Sequence, residues 1–303
     1  VNTCCFIEDA AQESVNTILD MADLKKTGNL KALIVTGCLA TRYAKDIGVE
    51  IPEVDGVVGA SSYDEVKEVL DRVLAGEEHV ETEDDISRTP EDHGRILTTG
   101  GHFAYLKIAE GCDKNCSYCI IPKLRGHYRS FPIEKLVAEA TDLVASGVRE
   151  IILVAQETTL YGTDIYGKKC LPELLRKLSE IKGLAWIRIL YAYPEEIDDA
   201  LIEEMARNPK VCHYIDMPIQ HSNDYILGRM GRRTSRADII DVIGRLRKAM
   251  PDICIRTTLI CGFPGETEEM HQDQVSFIRE MKFDRLGAFP YSRERDTVAY
   301  DMP

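Results

Sequence analysis

The sequence predicts an α/β protein in two parts: a small N-terminal α/β domain, then a partial (β/α)6 barrel of the TIM type. Three observations carry this. Short apolar runs with strand character alternate with amphipathic helical stretches along the chain. An acidic stretch without periodicity divides that alternation in two. Six strand–helix units follow the divide, where a complete barrel has eight.

Taken in order, residues 8–24 carry Ala11, Val15, Ile18, Leu19 and Ala22 at helical spacing. "KALIVTG" (31–37) is a short buried strand ending at Gly37, with Cys38 at its C-terminal end. A helical stretch follows, then a strand over 55–60 and a helix over 63–76. This αβαβα order implies a small parallel sheet and sets the first domain at 1–76. Residues 77–100, "EEHVETEDDISRTPEDHGRILTTG", read as an acidic linker. In the second domain, 101–303, strands are expected at 103–109, 150–156, 186–190, 214–218, 254–260 and 285–291. Helices are expected at 133–146, 171–181, 196–207, 235–249 and 268–281. Ser235 with Asp238 has the pattern of a helix-starting capping box. On such a barrel the working residues sit at the C-terminal strand ends, and Cys112, Gln156, Gln220 and Gly262 all fall just after predicted strands.

Composition narrows the class. An apolar fraction of 44% with 29% charged residues is that of a globular protein. No apolar run approaches the roughly 18 residues of a membrane span and no secretory signal is read, so the expected location is the cytosol. Ten cysteines are too sparse for a disulfide scaffold, and clustered thiols in a reducing compartment point to metal or redox chemistry. A formal charge of −14 argues against a nucleic-acid surface spread over the whole chain, and leaves room for a basic partner. The basic run "KLRGHYR" (123–129) reads as a solvated face. Val1 follows no methionine and "AYDMP" closes no element, so the chain reads as a piece of a longer one, with further ligands expected beyond its ends.

The chemistry concentrates in "EGCDKNCSYCIIPKLRG" (110–126), where Cys112, Cys116 and Cys119 form C-x3-C-x2-C. A zinc site would take His127 as its fourth ligand, but zinc knuckles favour paired C-x2-C units and one is present. A [4Fe–4S] cluster on three thiolates instead leaves one iron open to chelate a methionine-type amino and carboxylate group. This spacing resembles the radical S-adenosylmethionine (SAM) enzymes. The resemblance implies a reduced cluster that splits SAM into methionine and a 5′-deoxyadenosyl radical, which takes hydrogen from an unactivated carbon. It also places Tyr118 where an aromatic contacts the adenine; a packing aromatic is an equal reading.

Two further cysteines, Cys4 and Cys38, would alone be read as packing residues. In context, "NTC-FI", "TGCLA-RY" and the C-x3-C-x2-C loop, in that order, resemble the methylthiotransferases. That family implies a second [4Fe–4S] cluster held by three N-terminal cysteines, two of which match Cys4 and Cys38. The third is expected upstream of Val1, and Cys5 is read as a buried neighbour. The stretches 153–162, 216–233, 256–269 and 292–300 resemble the branch that modifies the β-carbon of an aspartate in small-subunit ribosomal protein uS12. The alternative branch, acting on tRNA adenosine, carries an asparagine-rich first stretch and a serine-rich form of "PIQH". The family's C-terminal TRAM β-barrel is expected past the end. One SAM would supply the methyl group and another the radical. The implied partners are a basic ribosomal protein, a sulfur donor and an electron donor such as flavodoxin or ferredoxin, with no membrane.

The remaining candidates divide evenly between function and structure. Gln156 and Glu157 contact SAM or cap a helix; Gln220 and His221 approach the cofactor or serve as buried hydrogen-bonding residues. Gly262 in "GFPGET" permits close backbone approach or makes a tight turn, and the lysine of a phosphate-binding loop is missing. Cys170, Cys212, Cys254 and Cys261 are scattered and structural. A rival of another class is a metal-binding scaffold without catalysis.

Overall fold

A computed structural model describes residues 1–82, 84–90, 95–98 and 100–303. The chain forms two compact units. One comprises Val1–Arg95, Tyr118–His127 and Ser292–Tyr300; the other comprises Ile96–Ser117, Tyr128–Tyr291 and Asp301–Pro303. Neither unit is the continuous segment, 1–76 or 101–303, that the sequence suggests.

In the first unit, β1 (Asn2–Thr3), α1 (Glu8–Thr27), β2 (Ile34–Gly37), α2 (Cys38–Glu50), β3 (Gly56–Gly59), α3 (Val66–Leu74) and β4 (Val80–Glu81) follow in turn. The strands lie in sequential order β1-β2-β3-β4, all parallel. Helices therefore provide every crossover, as parallel pairing requires. β3 is buried at all four positions, the signature of a strand covered on both faces. Ile18 and Ala22 of α1 pack into a core with Val35, Leu39 and Val57.

Part of the expected linker 77–100 is built into this unit. Val80–Glu81 pair with β3, and the Asp84 carboxylate accepts from Thr41 Oγ1 at 2.6 Å and the Ser61 amide at 3.0 Å. Arg88 bridges Asp64 and Glu65. These anchors are polar and leave no apolar periodicity in the sequence. Residues 83, 91–94 and 99 of that stretch lie outside those described.

The second unit begins with β5 (Phe103–Lys107) and β6 (Ala109–Glu110). The chain then passes through α4 (Ile121–Arg125), whose Leu124, with the preceding Ile120, joins the core of the first unit. It resumes with β7 (Arg129–Ser130), α5 (Ile133–Ala145), β8 (Glu150–Val154), α6 (Leu171–Ser179), β9 (Trp186–Ile189), α7 (Asp199–Arg207), β10 (Val211–Asp216), α8 (Asp224–Arg229), α9 (Arg236–Ala249), β11 (Cys254–Cys261), α10 (Glu268–Met281) and β12 (Arg285–Pro290). Six parallel strands run in the order β12-β11-β10-β9-β8-β5, and the antiparallel pair β6–β7 stands apart. Among the described residues β5 and β12 do not pair, so the barrel is partial. Its core takes Ile151 and Leu153 of β8, Leu174, Leu175 and Leu178 of α6, Ile187 and Ile189 of β9, and Ile255 of β11.

Helix starts follow local chemistry. Ser235 and Asp238 form the expected capping box at α9. α7 begins at Asp199, later than the expected 196, because Asp198 caps it by accepting from the Leu201 amide at 2.9 Å. β10 starts three residues before the expected 214 and stops at Asp216, two residues ahead of Pro218. α8, absent from the sequence reading, is capped by Asn223.

Candidate functional site

The loop after β6 carries Cys112 and Cys116, both buried. Its shape is set by backbone. Gly111 and Asn115 have positive φ (75° and 52°), and Ser117 is tied by its amide to the Met230 carbonyl at 2.9 Å and by its hydroxyl to the Arg229 carbonyl at 2.8 Å. Gly231, at φ 71°, packs against this loop. A Cβ there would stand 3.3 Å from the Asn115 carbonyl oxygen, so only glycine fits without displacement. Burial pushes the Cys112 thiol up to about 11, with the Lys114 amide opposing. A bound cation would reverse that cost, because it favours the thiolate. Tyr118 and Cys119, the next two residues after Ser117, belong to the first unit and are half-buried.

Buried charge gathers around Tyr193, a neighbour of Cys116. The Cys116 Sγ lies 3.7 Å from the Tyr193 hydroxyl. Lys114 pairs with Glu196 at 2.5 Å and Glu195 at 3.4 Å. Arg232 donates to the Pro218 carbonyl at 3.0 Å. Sequence reading missed Tyr193, Lys114 and Arg232 as site residues; the faint signal was "YAYPEE" just past β9, at a C-terminal strand end.

Gln156 and Glu157 follow β8. Gln156 Nε2 donates to Glu110 at 3.4 Å, while its Oε1 is buried without a hydrogen-bond partner. Glu157 is fully buried; its Oε1 accepts from the Thr159 amide at 2.8 Å and from the Thr159 hydroxyl, and its Oε2 has no partner. Desolvation raises its pKa to about 7 against the pull of Thr159 and Lys114. Gln220, held at φ 68°, pairs its backbone with β11 through Thr258 and Ile260, and its Oε1 is also buried without a partner. The result is three carbonyl or carboxylate oxygens in need of donors near the C-terminal strand ends.

His221 is fully buried, and burial lowers its pKa while Glu266 opposes the shift. Its Nδ1 accepts from the Asn223 amide at 3.0 Å, which leaves the proton of the neutral ring on Nε2. Nε2 stands 3.3 Å from Glu266 Oε1, outside hydrogen-bond geometry. Glu266 Oε2 in turn accepts from the Gly262 amide at 2.5 Å and the Phe263 amide at 3.2 Å. Glu266 therefore closes the turn at Gly262 and stands beside His221. The acid inside "GFPGET" is its signal in the sequence.

In the first unit, Thr3 pairs with Gly37 in the β1–β2 register, so Cys4 and Cys38 emerge from neighbouring parallel strands. Gly37, at φ 99°, allows this, since a Cβ would collide with the Thr3 carbonyl. Ser14 fixes the Cys4 backbone from both sides, at 3.1 and 3.0 Å. Arg125 of α4 donates to Cys38 Sγ at 3.2 Å. Cys5 is buried, and desolvation followed by the Cys38 charge pushes its thiol up to about 12.

Among the described residues no three His, Cys, Asp or Glu side chains gather as they would around a single metal ion. A cubane spreads its thiolates over separate corners, and buried thiols on a fixed loop suit that donor set.

A parallel partial barrel with a three-cysteine loop after its first strand defines an iron–sulfur protein of the radical SAM class. The comparisons agree: the radical SAM superfamily matches residues 106–278, and "Uncharacterized protein family UPF0004" matches residues 1–59. The chain belongs to the family of ribosomal protein uS12 methylthiotransferases named RimO. The protein of that name from Lachnoclostridium phytofermentans is 59% identical over the whole chain, which spans 69% of it. Those from Clostridioides difficile and Geobacter sulfurreducens are 51% and 50% identical, the chain spanning 68% of each. Among solved structures, the radical SAM methyltransferase TsrM from Kitasatospora setae, with cobalamin and a [4Fe–4S] cluster bound, aligns with 98% of this chain and 64% of its own at TM-score 0.70 and 16% identity. The cobalamin-dependent radical SAM enzyme OxsB aligns with 99% of this chain and 45% of its own at TM-score 0.63 and 14% identity. Likeness at such identity speaks for the fold.

Proposed function

We propose that this chain, with two [4Fe–4S] clusters and SAM, transfers a methylthio group to the β-carbon of an aspartate in ribosomal protein uS12. The observation that carries the reading is the pair of buried thiols, Cys112 and Cys116, on a rigid loop beyond β5, with Cys119 at the motif spacing, in a chain of the RimO family.

Cys112, Cys116 and Cys119 would hold one cluster, and Cys4 and Cys38 would supply two ligands of the other. When bound, a cluster open at one iron and SAM together supply the radical that removes an unactivated hydrogen. The residues around it have matching tasks. The partnerless oxygens of Gln156, Glu157 and Gln220 suit a ligand rich in donors, as the ammonium and ribose hydroxyls of SAM are. Gly262, at φ 74° with open space where a Cβ would be, lets a ligand reach the backbone. By resemblance to the radical SAM enzymes, Tyr118 would meet the adenine.

Among the described residues no helix is long and apolar enough to cross a membrane. We place the protein in the cytosol with its ribosomal substrate, a sulfur donor, and flavodoxin or ferredoxin as electron donor. Mass analysis of ribosomal peptides and tRNA nucleosides from cells with and without the gene tests the assignment. The uS12 aspartate should lose its methylthio group in the deletion strain; loss from a tRNA adenosine instead would overturn it.

A further inference from the structure

Tyr193 lies on the turn between β9 and α7, and its surroundings exceed what packing needs. The Arg232 guanidinium sits 4.0 Å from its ring centroid and the Lys114 ammonium 5.1 Å. Both cations are buried. Burying charge is costly unless partners offset it, and here Glu195 and Glu196 serve Lys114, with Glu195 also 3.9 Å from Arg232. A phenylalanine would fill the same volume. What tyrosine adds is a hydroxyl, and that hydroxyl stands 3.7 Å from Cys116 Sγ.

We infer, on the reading that Cys116 is a cluster ligand, that Tyr193 is a positioning residue whose phenol donates a hydrogen bond to the metal-bound thiolate of Cys116. A metal-bound thiolate carries no proton, so the direction of the bond is fixed. Cations over the ring draw electron density from it and make the phenol a stronger donor. A donor on a cluster sulfur stabilises the reduced, more negative state and raises the reduction potential. Lys114, Arg232 and their carboxylates thus form a device that sets how readily this cluster is reduced.

The test uses the chain carrying Cys4→Ala and Cys38→Ala, loaded anaerobically with iron and sulfide, so that one cluster remains. Adding Cys112→Ala must abolish that iron; if it does not, the cluster assignment itself fails, whatever Tyr193 does. With the assignment secure, Tyr193→Phe keeps the ring and its cations. It should load the same iron and unfold at the same temperature, yet show a more negative potential in an EPR-monitored redox titration. An unchanged potential overturns the inference. Should Tyr193→Phe fail to load, the cluster with Tyr193 intact still decides. Its reduced state must show an exchangeable proton coupled to the cluster by ENDOR in H2O against D2O, and absence of that coupling overturns the inference.

Discussion

At Glu157 the second unit buries a carboxyl with one oxygen satisfied and one not. Its pKa of about 7, against 4.5 for the free side chain, makes a stability prediction with a definite sign. Between those values the folded state holds more protons than the unfolded one, so this group's contribution falls as pH rises and levels off above about 7. Glu157→Gln removes the effect. In denaturant titrations of the metal-free chain, the stability of Glu157→Gln relative to wild type should rise by roughly 3 kcal/mol from pH 4.5 to 7. A difference that does not change with pH contradicts it. Residues of this kind were legible in part. The three-cysteine loop announces itself through spacing, and so do Gln156 and Glu157 through their place after a strand. Tyr193, Arg232 and Glu266 do not, because their meaning comes from partners 77, 39 or 45 positions away in the chain, namely Cys116, Tyr193 and His221.

Among the elements, the strands and helices of the second unit were readable because apolar side chains recur with periods that only one geometry buries. β11 alternates buried and half-buried positions along its length, and α6 presents Leu171, Leu174, Leu175 and Leu178 to one side. Leu174→Ala should cost about 2–5 kcal/mol for that reason, measured by thermal or denaturant unfolding. Short pieces are harder to read: β4 is two residues long and carries no period, and α8 is specified by its Asn223 cap. β1, whose two residues read as a strand end, matters most among them, since it delivers Cys4 beside Cys38. Gly37→Ala strains a positive φ and drives a methyl into the Thr3 carbonyl. It should release β1 and lower the iron held by Cys4 and Cys38, while iron bound through Cys112 stays. Full retention at both sites would contradict this placement.

For the whole molecule, the formal charge of −14 favours encounter with a basic ribosomal protein. Added salt, which shortens the Debye length from about 10 Å at 0.1 M to about 3 Å at 1 M, should lower kcat/KM for uS12 and leave substrate-free SAM cleavage unaffected. Equal sensitivity of both rates would remove the electrostatic argument. The α/β plan and the six-strand order were legible along the chain, but the composition of the compact units was not: residues 118–127 and 292–300 join the first unit through contacts such as Lys123 to the Asp296 carbonyl and Arg42 to the Asp296 carboxylate. The central claim is that Cys112, Cys116 and Cys119 hold a cluster whose free iron takes SAM. Its most direct test counts iron, sulfide and 5′-deoxyadenosine after anaerobic loading and reduction with SAM, for wild type and for Cys112→Ala/Cys116→Ala/Cys119→Ala. The account predicts that the triple variant loses one cluster's worth of iron and sulfide and all 5′-deoxyadenosine. A triple variant that keeps its full iron, or a wild-type chain that binds zinc there and leaves SAM whole, would contradict it.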